Sequence, residues 1–156
     1  MKVEERHLTG IALDRIETTH VRYERGVPGN AKSWYDLLTN IKLSVKAQVQ
    51  PDASATDVFV SCSIDGAPGW TLEGEVCGHF RVPSGRATPV DLQTFSRLHA
   101  VAILLPYVRQ LLSNVTGADA RLGGPFLLPP MNVARLLEER DEEAKESAAN
   151  RGVEKQ

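Results

Sequence analysis

Hydrophobic and polar residues alternate along most of the first half of the chain. From Tyr35 onward, one side of the pattern is apolar and the other polar over residues 35–49. The same period of two returns over residues 58–64 and 70–82, after short connections that contain glycine, proline and aspartate. Alternation of this length predicts half-buried strands, and the connecting residues are typical of tight turns.

An earlier segment, from Ile11 to Tyr23, is rich in strand-forming residues, but its alternation changes phase between Leu13 and Ile16. A β-bulge has this effect, because one extra residue in a strand moves the following side chains to the opposite face. We therefore count the segment as a fourth strand. Strands joined by short turns are expected to pair antiparallel, with one apolar face to be covered and one polar face in water.

The pattern changes to a helical period after residues 83–89, where Asp91 is a candidate N-cap. The apolar residues that recur at helical spacing are Leu92, Phe95, Leu98, Ala102 and Leu105. Pro106 is expected to kink or restart this helix, and Gly117 to end it in a left-handed conformation. Asn132 is a candidate cap for a last helix that runs into a charged tail. Four strands followed by helices indicate an α+β fold.

Length and composition narrow the class of protein. A chain of 156 residues suits one domain, which we place at residues 1–140, followed by a charged, flexible tail at 141–156. The net charge of -2 and the pI near 6.1 provide no basic surface for a phosphate backbone, so nucleic acid is not an expected partner. Without a signal-like or membrane-length apolar run, we expect a cytoplasmic protein with no membrane insertion.

Three residues of the last predicted strand, at 70–82, could carry chemistry. Glu75, Cys77 and His79 alternate, so all three should lie on the polar face of the sheet. A carboxylate, a thiol and an imidazole are residue types of a metal site or a nucleophilic cysteine, but zinc usually takes three or four protein ligands and no second cluster follows. A small metal-binding protein or enzyme is therefore the less favoured hypothesis. The favoured interpretation is that these three are solvated residues of a strand, with no catalytic residue, no metal and no cofactor.

Apolar side chains occur where connecting segments should be polar. Trp34 and Tyr35 follow a glycine-rich connection, and Phe126, Leu127 and Leu128 lie between the predicted helices. Such residues either close the core or line a binding groove, since aromatic and aliphatic side chains can repack around many extended apolar segments. The residues alone leave both interpretations open.

Three segments resemble the SecB family of protein-export chaperones. They are LLPYVRQLLSNVTG at 104–117, LPPMNVARLL at 128–137 and GEVCGHF at 74–80. The resemblance covers about residues 11–140, and its helical motifs are more specific than its strands. It implies a four-stranded antiparallel sheet packed against C-terminal helices, assembling as a homotetramer that is a dimer of dimers.

The resemblance also implies an ATP-independent holdase that binds unfolded or non-native polypeptides for export through the Sec pathway. The alternative in the same fold is a dedicated chaperone of a single client, such as the antitoxin of a toxin–antitoxin system. The client-binding groove that the resemblance implies is lined by Trp34 and Tyr35 from a hairpin loop between the first two strands, by Phe126, Leu127 and Leu128 from the linker between the helices, and by Val133, Leu136 and Leu137 from the last helix. Glu24 and Glu75 match acidic positions that dock the translocase ATPase SecA, whereas His20 stands where an acid is expected. SecA is therefore a candidate partner rather than a required one.

Overall fold

The computed structural model describes residues 10–27, 33–66, 69–83, 87–117, 124–129, 142 and 145–151. Its elements are β1 (Ala12–Glu24), α1 (Trp34–Leu37), β2 (Leu38–Val49), β3 (Ala55–Gly66), β4 (Thr71–Arg81) and α2 (Pro89–Thr116). Residues 145–151 are also helical and are exposed. None of the described helices is long and apolar enough to cross a membrane.

The four strands form one antiparallel sheet in the order β1-β4-β3-β2. The α+β class and the four-stranded antiparallel sheet are confirmed. The interpretation that Trp34 and Tyr35 lie in a hairpin between the first two strands is wrong, because β1 and β2 are the opposite edges of the sheet. The connection from residue 25 to residue 37 is too long for a tight turn and crosses from one edge to the other.

The start of β2 also differs from the prediction. The backbone makes one helical turn at Trp34–Leu37, and the strand begins at Leu38 rather than at Tyr35. Local hydrogen bonds favour the turn: the Ser33 N–H donates to the Asp36 carboxylate at 3.2 Å, and the Asp36 N–H donates to the Ser33 carbonyl at 3.2 Å. A side chain that satisfies its own neighbouring backbone competes with the sheet ladder.

Strand β1 contains two irregularities against β4. Its register shifts between Leu13 and Arg15, as the predicted phase change requires, and again between Thr18 and His20. The second shift was not predicted. Each shift adds one residue to β1 relative to its partner, which returns the polar side chains to the outer face of the sheet.

Helix α2 begins earlier than predicted and is continuous. Thr88 is the N-cap, and Asp91 is the third helical residue, whose carboxylate accepts the Thr88 N–H at 2.9 Å in a capping box. Pro106 lies inside the single helix, so of the two expected effects of this proline, a kink or a restart, the restart does not occur. Gly117 caps the C-terminus with φ -63°, a right-handed conformation, so the expected left-handed end is also wrong.

The core lies between the inner face of the sheet and α2. Predicted inward residues of β3, from Val58 to Ile64, are fully buried, as is Leu92 of the helix, and Leu105 is buried to within 4% of its surface. Leu98 is not part of this core, because 45% of its surface is exposed. The buried residues of the helix follow another line of its surface: Leu92, Phe95, Ser96, Ala100, Val101, Leu104, Leu105, Val108, Leu112 and Thr116.

Candidate functional site

Four aromatic rings meet at one end of the sheet. Trp34 of α1 stands 5.6 Å from Trp70, 6.0 Å from Tyr23 and 6.1 Å from Phe126, measured between ring centroids. The two tryptophans meet edge to face at 89°, and Trp34 and Phe126 at 70°. This is a favourable geometry for aromatic pairs. We call these four residues the aromatic cluster.

Hydrogen bonds fix the polar ends of the two indoles. The Trp34 indole N–H donates to the Gly124 carbonyl at 2.8 Å, and the Trp70 indole N–H donates to the Val27 carbonyl at 3.4 Å. A buried indole needs such an acceptor, since an unpaired N–H away from water is costly. The cluster is therefore oriented by the backbone of two connecting segments.

Residues 124–129, which we call the apolar strap, run across the cluster. Phe126 and Leu128 are 2% and 5% exposed, whereas Leu127 between them is 64% exposed. The Phe126 N–H donates to the hydroxyl of Thr116 at 2.8 Å, and that hydroxyl donates to the Leu112 carbonyl at 2.8 Å. The strap therefore follows the in-out alternation of an extended chain, with one backbone N–H held by the last turn of α2.

The outer face of the sheet carries the residues considered for metal or thiol chemistry. Glu75 accepts a hydrogen bond from the Thr19 hydroxyl at 2.7 Å. The two ring nitrogens of His79 lie 2.6 Å from the Asp57 carboxylate and 3.2 Å from the Glu17 carboxylate. Cys77 is 1% exposed, and burial, followed by the nearby carboxylates, raises the pKa of its thiol to about 11.

These surroundings do not support the metal or enzyme hypothesis. In the described part of the chain, no group of three or more histidine, cysteine, aspartate or glutamate side chains could hold a metal ion. Glu75, Cys77 and His79 share a face, as predicted, but the carboxylate and the imidazole each bond to other side chains. A raised thiol pKa disfavours the thiolate that a nucleophilic cysteine requires.

The acidic residues of the outer face have their own polar or cationic partners. The Arg22 guanidinium contacts the Glu24 carboxylate at 2.6 Å, and the His20 ring contacts Glu73 at 2.9 Å. Towards the other end of the sheet, Arg15 pairs with Glu17 at 3.1 Å, and Arg81 pairs with Asp14. Local pairing lowers the potential that the acids would present to a distant basic partner.

Comparison with known proteins gives a relative and a fold. No family model matches the chain. The chain is 30% identical over 136 residues to the uncharacterised protein MJ0357 of Methanocaldococcus jannaschii, covering 87% of this chain and 72% of that protein. The chain belongs to the family of this archaeal protein.

The fold of this member of the MJ0357 family is SecB-like. The structure of the Mycobacterium tuberculosis Rv1957 SecB-like chaperone, in complex with a ChAD peptide from the Rv1956 HigA1 antitoxin, superimposes with a TM-score of 0.65. The match covers 85% of this chain and 98% of that chain at 19% identity. At this identity the match establishes the shared fold.

Within this SecB-like fold, three of the predicted groove residues belong to the hydrophobic core of the chain. Trp34, Phe126 and Leu128 are at most 5% exposed and pack in the main hydrophobic cluster, so they do not line an open groove in this conformation. Their burial follows from mutual packing at the aromatic cluster. Leu127 is the predicted groove residue that faces solvent. The Tyr35 side chain and Val133, Leu136 and Leu137 lie outside the described residues.

The sequence interpretation missed three members of the site: Tyr23, Trp70 and Thr116. The two tryptophans of the chain carry a shared signal, since each follows a connection that contains glycine and proline. That placement suggests a common position at one end of the sheet. No such signal distinguishes Thr116, because its role depends on a contact with Phe126, ten residues further along the chain.

Helix α2 carries three large apolar residues that are partly exposed. Leu98, Ile103 and Tyr107 are 45%, 41% and 44% exposed. On the same helix, the Nε atom of Arg109 is buried without a hydrogen-bond partner in the described structure. A buried unpaired donor is unfavourable, and exposed large apolar side chains can mark a surface that another molecule covers.

Proposed function

We propose that this protein is a non-enzymatic, ATP-independent chaperone that holds unfolded or non-native polypeptides in the cytoplasm. The SecB-like fold carries the proposal, because the Rv1957 structure with this fold is that of a chaperone in complex with a peptide. The exposed Leu127 beside the aromatic cluster supports it from this chain's own residues. Burial of apolar client surface would supply the binding energy, at roughly 25 cal/mol per Å² before ordering costs.

A dedicated client is favoured over general Sec export. Glu24 pairs with Arg22 and Glu75 accepts a hydrogen bond from Thr19, so the two proposed SecA-docking acids are already engaged. The peptide in the Rv1957 complex comes from an antitoxin, which makes an antitoxin a suitable client class for this chain. Binding of purified SecA at physiological salt distinguishes the two roles, and we expect none.

We further propose that the chain assembles as a homotetramer, a dimer of dimers. Two surfaces support this assembly: β1 forms an edge of the sheet that pairs only with β4, and α2 exposes Leu98, Ile103 and Tyr107. Residues 1–140 would form the assembling domain, and residues 141–156 a charged tail. Removal of the tail should leave assembly and client holding unchanged.

The decisive experiment for the chaperone role is suppression of aggregation without ATP. A chemically unfolded enzyme is diluted into buffer with the full-length protein, and light scattering is followed. We expect suppression to saturate at about one tetramer per client chain. Leu127→Glu should weaken it severalfold, because a charge replaces an exposed apolar contact beside the cluster.

Val90→Glu is the matched control for this experiment. Val90 is 74% exposed in the first turn of α2, at the opposite end of that helix from the strap, so the same change should leave suppression intact. Absence of suppression by the wild-type protein at any ratio would contradict the chaperone proposal.

A further inference from the structure

The apolar strap occupies the aromatic cluster in the way that an extended peptide would. Its carbonyl at Gly124 accepts the Trp34 indole N–H, and its N–H at Phe126 donates to the Thr116 hydroxyl. Phe126 and Leu128 point inward, whereas Pro125 and Leu127 are exposed. The aromatic cluster and Thr116 therefore recognise four features of the strap: one backbone acceptor, one backbone donor and two alternate side chains.

We propose that the strap is an internal substitute for the client, and that a client binds by replacing it on the aromatic cluster. This inference rests on the proposed holdase function and names the segment that the site selects. That segment is extended, with an aromatic residue followed two positions later by an aliphatic one. The residue at the aromatic position must also supply a backbone N–H to Thr116, which a proline could not do.

The geometry gives the specificity of each position. The Trp34 ring meets the Phe126 ring at 70° with centroids 6.1 Å apart, so an aromatic side chain is preferred there to an aliphatic one. The Trp34 indole N–H selects a free carbonyl two residues before the aromatic residue. The positions of Pro125 and Leu127 face away from the cluster and are unconstrained, whereas Gly124 has a φ of +129°, so glycine is preferred at the position that supplies the carbonyl.

Exchange is feasible because the strap is not part of the sheet. Two hydrogen bonds between described residues tie it to Trp34 and Thr116, and no ladder of strand pairing holds it. A client that makes the same two bonds and buries similar side chains replaces the strap at little net cost. The strap then acts as a competitor. The apparent affinity of the protein for a client is the intrinsic affinity multiplied by the fraction of molecules in which the cluster is free.

The test uses the full-length protein and a capped peptide that copies residues 124–129, GPFLLP. A second peptide carries serine in place of the phenylalanine. Each peptide carries a fluorophore at its N-terminus, so fluorescence anisotropy reports binding even where the exchange leaves the two tryptophans in the same surroundings. We expect weak binding to the wild-type chain and binding about tenfold tighter to the Phe126→Ala variant, in which the competitor is impaired.

Val90→Ala, an equivalent truncation at an exposed site, should bind the peptide as the wild type does. The serine peptide should bind each variant at least about tenfold more weakly than GPFLLP, because it cannot fill the ring site. Circular dichroism verifies folding, and Leu128→Ala replaces Phe126→Ala if the latter unfolds. Equal affinity of the wild type and the folded variant, or equal binding of the two peptides, would overturn the exchange.

Aggregation suppression measured on the same samples separates this inference from the proposed function. A wild-type protein that holds clients, with no gain in peptide affinity for the variant, contradicts the exchange alone. A variant that gains affinity in a protein that holds no client supports the peptide site and contradicts the holdase.

Discussion

The hydroxyl of Thr116 accepts the backbone N–H of Phe126 at 2.8 Å, so the last residue of α2 holds the apolar strap. Thr116 is fully buried, and its own proton is donated to the Leu112 carbonyl at 2.8 Å. Helices rarely bury a polar side chain unless its bonds are satisfied, and both partners are present here. This single side chain therefore couples the end of the helix to the candidate client site.

Thr116→Val should destabilise the protein by about 1–3 kcal/mol, because the buried Phe126 N–H would lose its acceptor while the side-chain shape is kept. The free energy of unfolding from urea denaturation measures this effect. Thr94→Val is the matched control, since the Thr94 hydroxyl also donates to a carbonyl four residues earlier, that of Val90. Equal losses for the two variants would show that the contact with Phe126 contributes nothing.

Gly78→Ala should destabilise the protein by about 1–3 kcal/mol through overpacking. A Cβ atom at Gly78 would lie 2.7 Å from a methyl group of Leu104 and 2.9 Å from the Phe80 ring, so these packed side chains would have to shift. Gly74→Ala is the milder comparison, because its closest contacts are leucine methyl groups at 3.0 and 3.1 Å. Thermal denaturation should rank Gly78→Ala below Gly74→Ala, and the reverse order would contradict this packing argument.

Leu98→Glu should dissociate the proposed tetramer without unfolding the protomer, because the side chain is 45% exposed on the side of α2 away from the core. Multi-angle light scattering should give a mass near four times 17.1 kDa for the wild type and a smaller mass for the variant. Gln93→Glu introduces the same charge at an exposed position of α2 and should remain assembled. A tetramer that survives Leu98→Glu would exclude Leu98 from the interface, and a monomeric wild type would contradict the assembly.

The sheet was predictable because alternation directly reports burial on one face. In β3, Cys62 and Ile64 alternate with the polar residues Ser61, Ser63 and Asp65, and both are fully buried. The pattern says nothing about which strand lies beside which. The β1–β4 pairing therefore could not be deduced, and neither could the connection across the sheet that brings Trp34 to Trp70.

Errors arose where one local signal competed with another. Thr88 and Asp91 are both good capping residues, and the structure uses them together in one capping box. Leu98 has helical spacing relative to Phe95 and Leu105, but the buried line of the helix passes elsewhere. An apolar residue in a connecting segment is compatible with core or groove, and only tertiary contacts assign Phe126 to the core of this conformation.

The two cysteines should be unreactive in the folded protein. Burial raises the pKa of Cys62 to about 12 and, with the carboxylates of Asp57, Glu17 and Glu75, that of Cys77 to about 11. At pH 8 the thiolate, which is the reactive species, would be ~0.1% or less of either thiol. A thiol reagent should therefore label neither cysteine in native buffer and both in denaturant, whereas rapid native labelling would show that Cys77 is accessible.

The same shifts set a direction for stability at alkaline pH. The ordinary pKa of a cysteine thiol is 9.0, so an unfolded cysteine loses its proton around this pH. Each folded thiol keeps its proton to a higher pH. The folded state then binds more protons, so the free energy of unfolding falls as pH rises from about 9 towards 11 or 12. Below pH 9 this contribution to stability is fully present. Cys77→Ala should make the fall shallower in urea titrations at successive pH values, and an unchanged slope would mean that the thiol is not desolvated in the folded state.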